Sequence, residues 1–261
     1  MSTKLPALWD TPETAQFWPG DYARVILDQV DSTMAEARRR APSRMGSTWI
    51  LAHEQTAAHG RRGRAWTSPS GNFSATLMLK ISGDPAQAAL RSFTMAVALR
   101  QTLAMTVPPE QLSLKWPNDV LLGGGKVAGI LLETNGQGGR IDWLSIGVGV
   151  NLVAAPSTDQ VEPLAVRPVA ASDFGTAHSP QDFLFWLASH FADLEKVFQE
   201  FGFGPIRTLW LKHAARLGET ITARLPNEDI TGVFETVDEN GYLVLNTPKG
   251  ARQIAAGDVF F

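Results

Sequence analysis

Residues 111–152 read QLSLKWPNDVLLGGGKVAGILLETNGQGGRIDWLSIGVGVNL, and three apolar runs in it are parted by two glycine-rich breaks. The runs cover 111–122, 127–133 and 141–152; the breaks are Gly123-Gly124-Gly125 and residues 136–139. Apolar runs joined by tight turns predict an antiparallel meander. Within it, Pro117 forces Trp116 toward an extended conformation, and Asn118 and Asp119 present a short amide and a carboxylate where the next strand begins. Lys126 leaves the glycine turn and enters a strand otherwise made of Val127, Ala128, Ile130, Leu131 and Leu132. A cation there either snorkels to solvent or serves a site. Gly124-Gly125-Lys126 is not a phosphate loop, since the Walker spacing and the following Ser or Thr are absent.

Upstream, residues 54–72 read EQTAAHGRRGRAWTSPSGN and gather Arg61, Arg62 and Arg64 around Gly60 and Gly63, with Trp66, Pro69 and Gly71 fixing the exit. Guanidiniums interleaved with glycines, which let backbone approach a ligand closely, suit a polyanion and suit a core strand badly. The bland alternative is a solvated turn with scattered charge. Residues 47–54 and 72–81 read as strands, so the arginine loop connects two strands. Residues 30–41 predict a helix start, with Thr33 and Glu36 at capping-box spacing. Residues 85–105 have helical spacing and are ended by Pro108 and Pro109.

The stretch 153–178, rich in Pro, Ala, Ser and Thr, reads as loop without a catalytic signature. Ser179 with Pro180 starts a helix carrying Phe183, Leu187, Phe191 and Leu194. The sequence Phe201-Gly-Phe-Gly-Pro breaks it, and a short helix over 206–216 ends near Gly218. Residues 219–261 then hold four or five short β-like runs, a small barrel or an open sheet. The expected division is a core over 1–217 and a small β domain over 218–261.

With 261 residues, 44% of them hydrophobic, the chain can bury a large core. A formal charge of -3 argues against a general nucleic-acid binder, so the arginine cluster is a local feature of a mildly acidic protein. There is no cysteine, hence no disulfide framework or thiolate metal site. The first residues, MSTKLPALWDTPET, lack the apolar run of a signal peptide, and no stretch has the length of a membrane span; the expectation is a soluble, cytoplasmic protein. The histidines at 53, 59, 178, 190 and 213 show no ligand spacing and no GxSxG elbow is present, so neither a metal site nor a hydrolase triad is expected.

Taken together, GRRGRAWTSPSGN, KWPNDVLL followed by KVAGILLE, DST at 31–33 and SIGVGVNL at 145–152 resemble the catalytic core of the biotin protein ligases. The resemblance implies an α+β fold: a mixed, mainly antiparallel sheet with helices on one side, followed by a small SH3-like β-barrel. It implies activation of biotin by ATP, with Mg2+ accompanying the nucleotide, to biotinoyl-5'-AMP, and transfer to one lysine of a biotin carboxyl carrier domain. By the same resemblance Lys126, Arg61 and Asp119 are the catalytic residues. Ser32, Thr33, Gln55, His59, Gly60 and Lys126 match the biotin side; Arg61, Arg62, Arg64, Trp66, Asn118 and Asn151 match the ATP side.

Two positions depart from the family pattern. Ala58-His59 stands where the family often has Gly-Arg, and Met34 where it often has Asn. The segment before Asp31 is too short for the winged helix that some relatives carry, so no operator binding is expected, and the resemblance points to a homodimer. Two other readings are a lipoate or octanoate ligase or transferase of the same superfamily, and a non-catalytic biotin-binding module.

Overall fold

A computed structural model describes residues 18–41, 46–137, 140–157 and 166–260. The signal-peptide reading of the first residues, the end of the 136–139 break and the middle of the 153–178 loop lie outside the described residues. Among them, no helix is long and apolar enough to cross a membrane.

The larger sheet has seven strands: β1 (Tyr22–Val30), β2 (Ser47–Gln55), β3 (Phe73–Gly83), β4 (Leu112–Lys115), β5 (Asp119–Leu122), β6 (Gly125–Gln137) and β7 (Arg140–Val150), in the order β1-β2-β3-β7-β6-β5-β4. Only β1 and β2 run parallel; every other neighbouring pair is antiparallel. The expected meander is present, with one refinement: the run 111–122 divides into β4 and β5, because Trp116, Pro117 and Asn118 form a turn.

Side chains alternate across a strand, so each sheet face has its own partners. Trp49, Leu51, Phe73 and Leu77 face one core, covered by α3 (Arg91–Leu103), α4 (Pro180–Phe201) and α5 (Phe203–Lys212). Phe191 of α4 meets Trp49 edge-on at 6.3 Å, and Phe183 lies 4.9 Å from Phe73. Burying one such ring contributes about 1.5–3 kcal/mol. Ile50 and Met78, which alternate with that set along β2 and β3, face the other way and pack on Ala37 and Ala41 at the end of α1 (Thr33–Arg40). Helices therefore cover both faces, which corrects the expectation of helices on one side: the residues interleaved with the main core are apolar too and require their own cover.

Three local expectations also change. The cap of α1 is Ser32, in extended backbone, whose Oγ accepts from Ala35 N at 3.4 Å; Thr33 is already helical and its hydroxyl is turned to the sheet. Glu36 pairs instead with Arg39 and Arg40 one turn on. The helical stretch 85–105 is two helices, α2 (Pro85–Ala89), capped by Asp84, and α3. Helix α5 begins at Phe203, since Pro205 falls in its first turn where a missing N–H costs nothing, and it ends at Lys212, short of Arg216.

The second sheet is antiparallel, in the order β11 (Gly250–Ile254), β10 (Leu243–Thr247), β9 (Asp229–Val237), β8 (Thr220–Arg224), β12 (Asp258–Phe260). Among the described residues β11 and β12 do not pair with each other, so the sheet stays open where a closed barrel was expected. It is fastened to the core by Trp116 Nε1, which donates to Gly241 O at 3.0 Å, and by ring contacts from Phe93 to Trp210 (5.3 Å) and Trp210 to Phe234 (6.5 Å).

Candidate active site

On the face that carries α1, three glycines leave the sheet bare. Gly149 lies between Ser74 and Gly129 in register, and Gly147 between Thr76 and Leu131. The alternation Gly147-Val148-Gly149-Val150 sends both valines into the core and clears the opposite face. Other groups occupy the cleared space. A Cβ on Gly147 would come within 2.9 Å of the Met34 sulfur, and one on Gly149 within 2.4 Å of the Trp66 ring. Between this floor and the arginine loop lies a cavity of about 480 Å³, a size that suits a small-molecule ligand.

One end of the cavity is neutral. Gln55 Oε1 accepts from Thr33 N at 2.8 Å and from Thr33 Oγ1 at 3.1 Å, while Thr76 Oγ1 donates to Thr33 Oγ1 at 2.8 Å. Buried Ser32 completes this end. Hydroxyls and an amide held in one hydrogen-bonded chain suit an uncharged polar ring with both donors and an acceptor.

The other end is charged. Lys126 Nζ sits 2.7 Å from Asp119 Oδ1, an ion pair out of line for a hydrogen bond, and Lys115 Nζ is 3.9 Å from Asp119 Oδ2. Lys115 faces Asp119 across the β4–β5 ladder, and an irregularity between Val120 and Leu121 sets Lys126 opposite Leu121. Lys126 also lies 5.6 Å from the centre of the Trp66 ring. Burial pushes the Lys115 ammonium below its usual pKa, with Asp119 acting in the opposite direction. Arg61 Nη1 donates to Asn118 Oδ1 at 3.3 Å and to Asp258 Oδ1 at 3.4 Å; Nη2 donates to Gly257 O at 3.2 Å. Burial lowers the Arg61 pKa, with Asp258 and Asp119 opposing. Among the charged lining residues Arg61, Arg64, Lys115 and Lys126 outnumber Asp119 and Asp258. A polyanion is favoured there even though the chain as a whole carries -3.

All the residues singled out from the sequence line this cavity except Arg62, which is half-exposed and reaches Asp258 Oδ2 at 2.7 Å. His59 Nε2 lies 3.4 Å from Glu133 Oε1, whose other oxygen accepts from Arg38 at 2.6 Å. Asn151 is buried and donates to Val169 O at 3.1 Å, so its amide braces the following loop as well as lining the wall. That loop, read as without signature, contributes Pro156, Val166 and Pro168 to the wall. Lys115 of KWPND also lines the wall; its signal in the sequence is a lysine closing the short strand run Leu112-Ser113-Leu114. Asp258 had no local signal, since its partners are almost two hundred positions away. Among the described residues no group of three or more His, Cys, Asp or Glu could hold a metal ion.

Comparison with known proteins agrees with this layout. The profile of the biotin/lipoate A/B protein ligase family matches residues 26–151, and that of the biotin protein ligase C-terminal domain matches 217–261. The biotin-[acetyl-CoA-carboxylase] ligase of Paracoccus denitrificans is 48% identical over 238 residues, covering 90% of this chain and 99% of that protein. The Mycobacterium tuberculosis protein of the same name is 30% identical, covering 90% of this chain and 87% of the relative. In fold, the biotin protein ligase of Aquifex aeolicus, solved in complex with biotin and ATP, is similar with a TM-score of 0.72 at 24% identity, covering 91% of this chain and 97% of that one. Sequence identity that runs through both the glycine-floored core and the small sheet, on a fold of the same shape, establishes that the chain belongs to the biotin/lipoate A/B protein ligase family, among its biotin protein ligases.

Proposed function

We infer that the protein is an ATP-dependent biotin protein ligase. The observation that carries this reading is the cavity itself, where a neutral hydroxyl–amide end and a cationic end built from Lys126 and Arg61 share one glycine floor. In the first step a carboxylate oxygen of biotin attacks the α-phosphorus of Mg-ATP, pyrophosphate leaves, and biotinoyl-5'-AMP remains. The carboxylate is already ionised near neutral pH, so no general base is required. The barrier is the approach of two anions and the charge gathering on the phosphoryl oxygens, which preorganised cations lower.

In this scheme Ser32, Thr33 and Gln55 take the ureido ring, with His59 and Gly60 closing over it. Lys126 meets the reacting carboxylate and α-phosphate. Arg61, Arg64, Trp66 and Asn118 hold the nucleotide, with Asn151 bracing the wall. Arg62 acts from outside the cavity. In the second step the amine of an acceptor lysine attacks the acyl carbon and AMP departs. That amine, with a reference pKa near 10.4, must lose a proton, and Asp119 is the carboxylate placed beside Lys126 to orient or accept it. The acceptor is the biotin carboxyl carrier domain of a carboxylase. We further propose a cytoplasmic homodimer without operator binding.

Biotin-dependent exchange between ATP and pyrophosphate, followed by transfer of labelled biotin to one carrier lysine, tests the reading. Exchange driven by lipoate in place of biotin overturns it in favour of a lipoate ligase. Biotin binding without exchange reduces the protein to a binding module.

A further inference from the structure

The second sheet reaches into the site through one side chain. Asp258, the first residue of β12, takes Arg62 Nη1 at 2.7 Å and Arg64 Nη2 at 3.3 Å on Oδ2, and Arg61 Nη1 at 3.4 Å on Oδ1. The neighbouring Gly257 carbonyl accepts from Arg61 Nη2 at 3.2 Å. Every arginine of the loop therefore converges on one largely buried carboxylate that lies almost two hundred positions away, on the other sheet.

Three guanidiniums within four positions repel one another, and the loop turns through a positive φ at Arg62 (57°) and Gly63 (72°). Without a counter-charge the arginines would splay into solvent. The contacts differ in kind. Arg62 makes the short one and stands outside the cavity; Arg61 and Arg64 make the long ones and line it. The long contacts of Arg61 and Arg64 are the weaker ones, so these two guanidiniums are the ones a stronger anion can draw away from Asp258.

We propose that Asp258 is a positioning residue for the nucleotide: a fixed carboxylate that holds the arginine loop over the cavity and yields Arg61 and Arg64 to the phosphates of ATP, while Arg62 stays anchored. This rests on the ligase reading above, and it makes the small sheet a working part of the active site.

Asp258→Asn keeps an acceptor of the same shape and removes the charge. The expected result is a KM for ATP raised about tenfold, an unchanged Kd for biotin, and faster amide exchange over residues 60–66 in the ligand-free protein. Asp258→Glu is expected to recover part of the loss. Arg62→Gln reads the same latch from its outer end and is expected to raise the ATP KM without touching biotin, which keeps the test decisive should the Asp258 variant fold poorly. An ATP KM within twofold of wild type in both variants overturns the proposal, and so does a parallel loss of biotin and ATP affinity. If wild-type protein supports no exchange at all, the ligase reading fails, and the loop's amide exchange still shows whether Asp258 holds it.

Discussion

Lys126 and Asp119 face each other at 2.7 Å from neighbouring strands, and Lys115 closes on the second oxygen of the same carboxylate from the strand beyond. The fold thus fixes the cations of the site: Asp119 holds two ammonium groups that repel each other, and neither must be recruited from solvent. Preorganised charge of this kind is what anion-on-anion chemistry requires.

Lys126→Ala removes the cation assigned to the meeting point of carboxylate and α-phosphate. Loss of a single preorganised donor costs roughly 10²–10³ in rate, and a fall of that size is expected in biotin-dependent ATP–pyrophosphate exchange. Biotin binding, read by calorimetry, is expected to weaken far less. Exchange within threefold of wild type excludes Lys126 from the chemistry.

The floor of the cavity supplies a steric test. Gly149→Ala places a methyl group 2.4 Å from the Trp66 ring, with the indole nitrogen at 2.6 Å. Trp66 sits on a loop rather than in the core, so it can give way without unfolding the sheet. The expected outcome is an unchanged Tm within a few degrees and a clearly raised KM for ATP. A lowered Tm with unchanged ATP affinity would place Trp66 in the framework of the fold instead of the nucleotide side.

Much of this arrangement was legible in the sequence because it is local. The meander from Leu112 to Val150, the strand–loop–strand around Arg61 and the Ser179-Pro180 helix start each depend on a handful of adjacent residues with one strong preference. What was not legible depends on pairings across the chain. The cap of α1 is Ser32 because Thr33 is drawn to Gln55 and Thr76. The helix lies on the second sheet face because Ile50 and Met78, alternating with the main core, need cover. Asp258 acquires its role only when β12 is placed beside β8, and no short-range pattern announces that. Tertiary context overrides local preference at these places, as it does generally at sites.

Between helices α3 and α4, Arg91 gives Glu195 three hydrogen bonds of 2.7–3.0 Å, and both side chains are buried. Phe198 stacks on the guanidinium at 4.5 Å. Removing one partner of such a pair strands a charge in the interior, at a cost of about 3–5 kcal/mol. Arg91→Ala should therefore lose about that much stability in urea unfolding, while Arg91→Met combined with Glu195→Leu should recover most of it. A loss under about 1 kcal/mol for Arg91→Ala would show the pair to be solvated in solution.

His190 gives the fold a dependence on pH distinct from that of its carboxylates. Its Nδ1 lies 2.9 Å from Thr102 Oγ1, whose own proton goes to Ala98 O at 2.9 Å, so the ring donates to Thr102. Burial pushes the His190 pKa below its usual 6.5, with Asp193 pulling weakly the other way. The unfolded chain therefore binds this proton more readily than the folded one, and stability falls as pH drops below about 6.5. Glu36 acts lower on the scale: burial raises its pKa, but the bonds from Arg40 and Arg39 outweigh that and hold it below 4.5, so its contribution persists until the pH falls past that range. Melting the wild-type protein between pH 7.5 and 5.0 is expected to show a declining Tm, and His190→Asn, whose amide can keep a donor at the Nδ1 position but cannot charge, is expected to flatten that decline. Parallel slopes for the two proteins would mean that His190 is as readily protonated in the fold as outside it.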